Sequence, residues 1–131
     1  MRLIRAQLKD VLAVHRLYMA YHEDLGKKLN SDEVFQRWIG ELCNEKKYYI
    51  LLSHGRKNLG LVWGEALEDL FSIEGIFLKR AWRGKYRFTK WIYRALLDNK
   101  KKFGRLKVRI PEGCTGINVA KFKPEARIYS Y

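Results

Sequence analysis

The sequence predicts an α/β fold in which helices flank a mixed central sheet, in the order β-α-α-β-β-β-α-β with a short C-terminal helix or strand. Three observations carry that expectation. Apolar spacing switches between the helical and the strand period along the chain. Ile76-Phe77-Leu78 is an uninterrupted apolar run, as in a strand buried on both faces. That run feeds a glycine-containing turn, Arg83-Gly84-Lys85, then a helical stripe and a second strand.

Residues 2 to 6 suit a short strand. Asp10 is placed to cap a first helix carrying Val14, Leu17, Tyr18, Tyr21 and Leu25 at helical spacing, and Gly26 ends it. Asn30-Ser31-Asp32-Glu33 is a capping signal ahead of Val34, Phe35, Trp38, Ile39 and Leu42, which predict a second helix. Tyr48 to Leu52 reads as a strand, His54 to Asn58 as a turn and Leu59 to Ala66 as the hairpin partner. After a turn at Glu68-Asp69, Phe71 to Lys79 forms a further strand. Phe88, Trp91, Ile92, Ala95 and Leu96 predict an amphipathic helix, with Lys100 to Lys102 near its C-terminus and Gly104 just beyond. Leu106, Val108 and Ile110 alternate with Lys107 and Arg109, a half-buried strand before Pro111.

A chain of 131 residues fits one domain, 1–131, large enough to bury a core without a disulfide or a structural metal. With 47% hydrophobic and 14% aromatic residues it is expected to fold despite a net charge of +13. Its two cysteines, Cys43 and Cys114, form no CxxC pair, which favours a reducing compartment and hence a cytoplasmic location. No apolar run has the roughly 18 residues that a membrane span needs, and the N-terminus lacks the apolar stretch of a secretory signal.

The charge is segregated. Residues 1–57 carry 11 Lys/Arg against 7 Asp/Glu; residues 58–78 carry only Glu65, Glu68, Asp69 and Glu74; residues 79–109 carry 13 Lys/Arg against Asp98 alone. That local excess repels itself unless solvent or an anion screens it. A strand entering a helix through a glycine turn also offers backbone N–H groups and a positive helix end, the ingredients of a phosphate site.

"IFLKRAWRGKYRFTKWIYRALL" resembles the acetyl-CoA-binding motif of the GNAT superfamily of N-acetyltransferases, a strand followed by Arg-Gly-x-Gly-x-Gly and a helix. Ile76, Leu78, Arg83, Gly84, Lys85 and the Trp91-Ile92 pair match its spacing, and the element order covers nearly the whole chain. The resemblance implies acetyl-CoA as acyl donor and a primary amine as acceptor. It implies that Ile76, Phe77 and Leu78 pair with the pantetheine arm while Arg83, Gly84, Lys85, Tyr86, Arg87 and Phe88 surround the pyrophosphate. Tyr86 and Phe88 stand where the family has glycines, so their side chains demand a different backbone path around the phosphates. "GINVAKFKPEARIYSY" looks like a reduced final helix and strand, with Asn118 at a helix-starting position and too little chain for a full last hairpin. The family's general-acid tyrosine falls near Phe122, leaving Tyr129 and Tyr131 as substitutes by proximity.

Glu74 lies in the central strand, on the predicted face of Ile76 and Leu78, where a carboxylate could accept a proton from the amine. Glu65, Glu68 and Asp69 would favour a cationic acceptor. His15 and His22 share one helix face without a metal-binding spacing, and Trp82, between Arg80 and Arg83, is placed to touch an adenine or a base. Cys114 has no identifiable activating partner. The alternative reading is a catalytically inactive domain of the same fold that binds nucleic acid or another polyanion through its basic 79–109 segment.

Overall fold

The computed structural model describes residues 2–82, 94, 97, 101, 104–109, 123–125 and 128–130. Seven strands form one sheet in the order β1-β2-β3-β4-β5-β7-β6. They are β1 (Arg2–Arg5), β2 (Lys47–His54), β3 (Lys57–Leu67), β4 (Leu70–Leu78), β5 (Arg105–Arg109), β6 (Lys123–Glu125) and β7 (Ile128–Ser130). β1 to β4 are antiparallel neighbours, β4 and β5 run parallel, and β7 pairs antiparallel with both β5 and β6. The mixed sheet matches the predicted class. A two-residue turn joins β2 to β3 beyond His54↔Lys57, and another joins β3 to β4 beyond Leu67↔Leu70.

Two helices, α1 (Val11–Asp24) and α2 (Ser31–Leu42), cover one face. α1 ends where the sequence places its stop. Gly26 has φ 72°, its N–H donates to Glu23 O at 2.9 Å, and Lys27 N–H donates to His22 O at 2.9 Å, which satisfies two terminal carbonyls. At the other end Asp10 holds the N-cap position as read, but its carboxylate makes no cap bond to α1 and instead accepts from Gln7 N–H at 2.9 Å, closing the short 3-10 turn ahead of the helix. α2 starts as read, with Asn30 Oδ1 accepting from Asp32 N–H at 3.1 Å and Glu33 N–H at 3.2 Å.

Cross-strand partners share a face, so the register sorts the core. Leu51, Leu61 and Phe77 form one row and Tyr49, Trp63 and Gly75 the next, both beneath Val14, Leu17, Tyr21, Val34 and Trp38. Ile50, Val62 and Ile76 face the opposite way. Ile76, Phe77 and Leu78 are all buried, as their uninterrupted apolar run predicts. Within α2 the apolar stripe is narrower than read: Val34 and Trp38 are buried, whereas Ile39 is 65% exposed and Phe35 lies edge-on against His15.

The helix expected from Phe88 falls mainly outside the described residues; Arg94, Leu97 and Lys101 within it are helical, and Gly104 has φ 77°. The C-terminal segment differs from expectation. β6 and β7 pair antiparallel, and Pro124 is accommodated because β6 is the outermost strand, where a missing N–H costs no ladder bond. Among the described residues, no helix is long and apolar enough to cross a membrane, and no group of three or more His, Cys, Asp or Glu side chains could hold a metal ion.

His15 locks α1 to α2. Trp38 Nε1–H donates to His15 Nδ1 at 2.9 Å, and His15 Nε2 lies 2.9 Å from Ser31 Oγ. A ring accepting at Nδ1 cannot carry a proton there, so this arrangement requires neutral imidazole. Burial lowers the His15 pKa, against a raising influence of Asp32; His22 is lowered by burial and by Lys27 and Arg37. Both folded values lie below the unfolded one of about 6.5, so their contribution is complete above that pH and is lost as pH falls through the folded values. Thermal unfolding between pH 8 and pH 5 should therefore show falling stability below about pH 6.5, and Trp38→Phe should flatten that fall. An unchanged slope in the variant would contradict the lock.

Candidate functional site

The site is built around one irregularity. β3 and β4 pair regularly at Val62↔Ile76 and Trp63↔Gly75, but the next pair is Gly64↔Ile73, leaving Glu74 as the extra residue of a β-bulge. A Cβ at Gly75 would overlap the Trp63 ring, so the indole occupies the space that a side chain would need. The ring is held by Tyr21 and Tyr18, edge-on at centroid distances of 4.8 and 5.5 Å.

The bulge corrects the sequence reading of Glu74. Strict alternation would put it on the face of Ile76 and Leu78, but the extra residue returns Ile73 to that face and turns Glu74 toward the α2 side. Its charge there contributes to the raised pKa values of both Lys47 and Tyr49. Glu74 is exposed, not held among buried strand positions.

Beside it is a polar array that the sequence did not reveal. The Tyr49 hydroxyl donates to Glu41 Oε2 at 2.9 Å, and Lys47 Nζ lies 3.1 Å from Oε1 and 3.0 Å from Oε2 of the same carboxylate. Burial pushes the Tyr49 phenol well up, and Glu41 adds to the effect. The hydrogen bond to Glu41 raises Lys47 against the lowering effect of burial, with Glu41, Glu74 and Glu65 charges adding. A small cavity of about 30 Å³, enough for one water, opens beside Tyr49, Glu41, Tyr18 and Trp38. The only sequence signal for the array was the alternation of Lys47 and Tyr49, since Glu41 arrives from another element.

Among the described residues, the bulge also stands where the parallel ladder ends. β4 pairs with β5 from Leu70↔Arg105 to Ile73↔Val108, and Glu74 follows immediately. On the other side of β5, Val108 pairs with Tyr129. Ile73, Val108 and Tyr129 thus form one row across the sheet, with Tyr129 two strand spacings, about 10 Å, from β4. The two candidate catalytic residues, Glu74 and Tyr129, come to one level of the sheet on opposite sides of β5, but the register puts position 129 in the Ile73 row, on the face opposite to Glu74.

Ile76, Phe77 and Leu78 continue β4 beyond the last β4–β5 pair. A 3-10 turn, Arg80–Trp82, follows, steadied by Arg80 Nη2 at 3.7 Å from Asp24 Oδ1. Arg83, Gly84, Lys85, Tyr86, Arg87 and Phe88 lie outside the described residues, as do Asn118, Cys114, Phe122 and Tyr131. Trp82 pairs with His54 at a ring distance of 6.5 Å. His15 and His22 serve the packing of α1: His22 sits edge-on between Tyr18 and Tyr21, with both ring nitrogens buried and without a hydrogen-bond partner.

Neither a protein-family model nor a curated protein sequence matches the chain. Solved structures do. A ribosomal-protein-alanine N-acetyltransferase from Brucella melitensis biovar Abortus 2308 aligns with TM-score 0.70 at 15% identity, over 86% of this chain and 83% of its own. A predicted acetyltransferase with acetyl-CoA from Clostridium acetobutylicum aligns with TM-score 0.67 at 11% identity, over 85% and 81%. The spermidine N-acetyltransferase from Vibrio cholerae in complex with CoA and spermine aligns with TM-score 0.62 at 14% identity, over 82% and 69%.

The bulge makes a direct prediction. Gly75→Ala should displace the Trp63 ring and cost about 1–3 kcal/mol, the usual range for overpacking a tight core. Chemical denaturation together with the near-ultraviolet signal of the indole measures both effects. Wild-type stability in this variant would show that the ring does not seat the bulge. Across the described elements, the chain has the fold of the GNAT-type acetyltransferases.

Proposed function

We propose that the chain is an acetyl-CoA-dependent N-acetyltransferase acting on a primary amine. The observation that carries this reading is the bulge at Glu74 at the end of the β4–β5 ladder, in a fold shared with structures described as acetyltransferases with acetyl-CoA or CoA. An extended pantetheine arm would lie along Ile76, Phe77 and Leu78, which continue β4 past the described β4–β5 pairs. The phosphates then fall at the basic end, where Lys79 and Arg80 lead into Arg83, Gly84 and Lys85, with Tyr86, Arg87, Phe88 and Asn118 completing the cofactor set.

The neutral amine attacks the thioester carbonyl, the C–S bond breaks, and the acetyl group ends on nitrogen. Glu74, or a water it holds, accepts the proton lost by the amine, and the departing thiolate takes a proton from solvent. The opposite end of the sheet carries Glu65 on β3 and Glu68 and Asp69 in the β3–β4 turn, so the acceptor is a cationic amine. The names of two neighbours, a spermidine and a ribosomal-protein-alanine acetyltransferase, give the first acceptors to try.

Acetyl-CoA consumption with spermidine, spermine and an alanyl peptide tests the assignment. Glu74→Gln should lower turnover on the order of 10²-fold while CoA affinity, read by calorimetry, stays within about twofold. The deficit should shrink as pH rises and the amine deprotonates unaided. Wild-type turnover in Glu74→Gln would remove Glu74 as the base, and absence of CoA binding would remove the acetyltransferase reading.

A further inference from the structure

A groove of about 490 Å³ runs between the outer flank of α1 and the end of the sheet where β2 turns into β3. Lys9 and Arg16 line it from the helix side, Arg56 and Lys57 from the β2–β3 turn, and Lys79 from the end of β4. All five are exposed, and none is held by a carboxylate among the described residues. The one acid in the lining, Asp10, is turned back onto Gln7 N–H. A concavity lined by one sign of charge focuses its field and draws an anion.

The shape narrows the class of anion. A flat anionic surface cannot follow cations into a concavity, whereas a strand carrying one phosphate per unit can place successive charges against both walls. Close along the chain to Lys57 and Lys79, though not in the groove's lining, the His54 and Trp82 rings lie 6.5 Å apart and tilted by 53°, aromatic surface of the kind on which a base can stack. The phosphates of acetyl-CoA are expected past Trp82, on the β5 side of β4, whereas this groove lies under α1 on the β2–β3 side.

We propose that the groove binds single-stranded nucleic acid, its phosphates held by Lys9, Arg16, Arg56, Lys57 and Lys79, independently of the acetyl-transfer site.

Fluorescence anisotropy with a fluorescein-labelled uridine dodecamer, from 50 to 200 mM salt, tests it on the full chain. Replacing Arg16, Arg56 and Lys57 together by Ala should weaken binding at least tenfold at 100 mM salt. It should also lower the slope of log K against log salt by about 2, since each single-strand phosphate left without its cation takes away about 0.7. The control, Lys27, Lys28 and Lys46 together to Ala, removes the same charge from exposed positions elsewhere and should change affinity less than threefold. Saturating CoA should leave the oligonucleotide bound. Undetectable binding at micromolar protein, an equal weakening in the control, or displacement by CoA would each overturn the proposal; the last would assign these cations to the acetyl-CoA site.

Discussion

The structure turns on the contact between the Trp63 ring and Gly75. No side chain fits at position 75 beneath the indole, and one residue later in the register the chain carries an extra residue, Glu74. Without that insertion, a β4 kept in register at Trp63 would send Ile73 and Phe71 to the helix-covered face and leave Glu74 with Ile76. With it, Phe71 and Ile73 stay fully buried and Glu74 emerges toward Tyr49 and Lys47. The same residue follows the last described β4–β5 pair, so a carboxylate and the end of the described parallel ladder come to one place.

Charge polarity along the sheet adds a second organising element. The β3–β4 turn carries Glu68 and Asp69, while the β2–β3 turn and the end of β4 carry Arg56, Lys57, Lys79 and Arg80. On the proposed reading, a cationic acceptor meets the acidic end of β4 and the donor's phosphates meet the segment after Trp82, with Glu74 between them. The Asp24–Arg80 pair ties α1 to the chain leaving the basic end, and the Trp38–His15–Ser31 contacts tie α1 to α2. The site thus rests on helix packing that is itself sensitive to histidine protonation.

Much of this was legible in the sequence because local rules dominate where contacts are local. The Asn30 cap, the Gly26 stop, the Glu68-Asp69 turn and the doubly buried Ile76-Phe77-Leu78 run all follow from neighbouring residues, whereas the turn read over His54 to Asn58 is shortened to Gly55 and Arg56 by the pairing of His54 with Lys57. The bulge was not legible: period-two alternation assumes one residue per rung, and the indole that fills the space over Gly75 beside it comes from β3. Glu41 with Tyr49, and Arg16 with Arg56 and Lys79, were hidden for a similar reason. They lie in separate parts of the chain, and only the packing of α1 and α2 on the sheet brings them together.

The most direct test of the central claim, that the bulge marks the acyl-transfer centre, is a crystal structure of the chain with CoA. The account predicts the CoA sulfur just beyond the Ile73–Val108 pair, within one bridging water of the Glu74 carboxylate, and the pyrophosphate against the segment after Trp82. A sulfur remote from Glu74, or phosphates seated in the groove beneath α1, would contradict it.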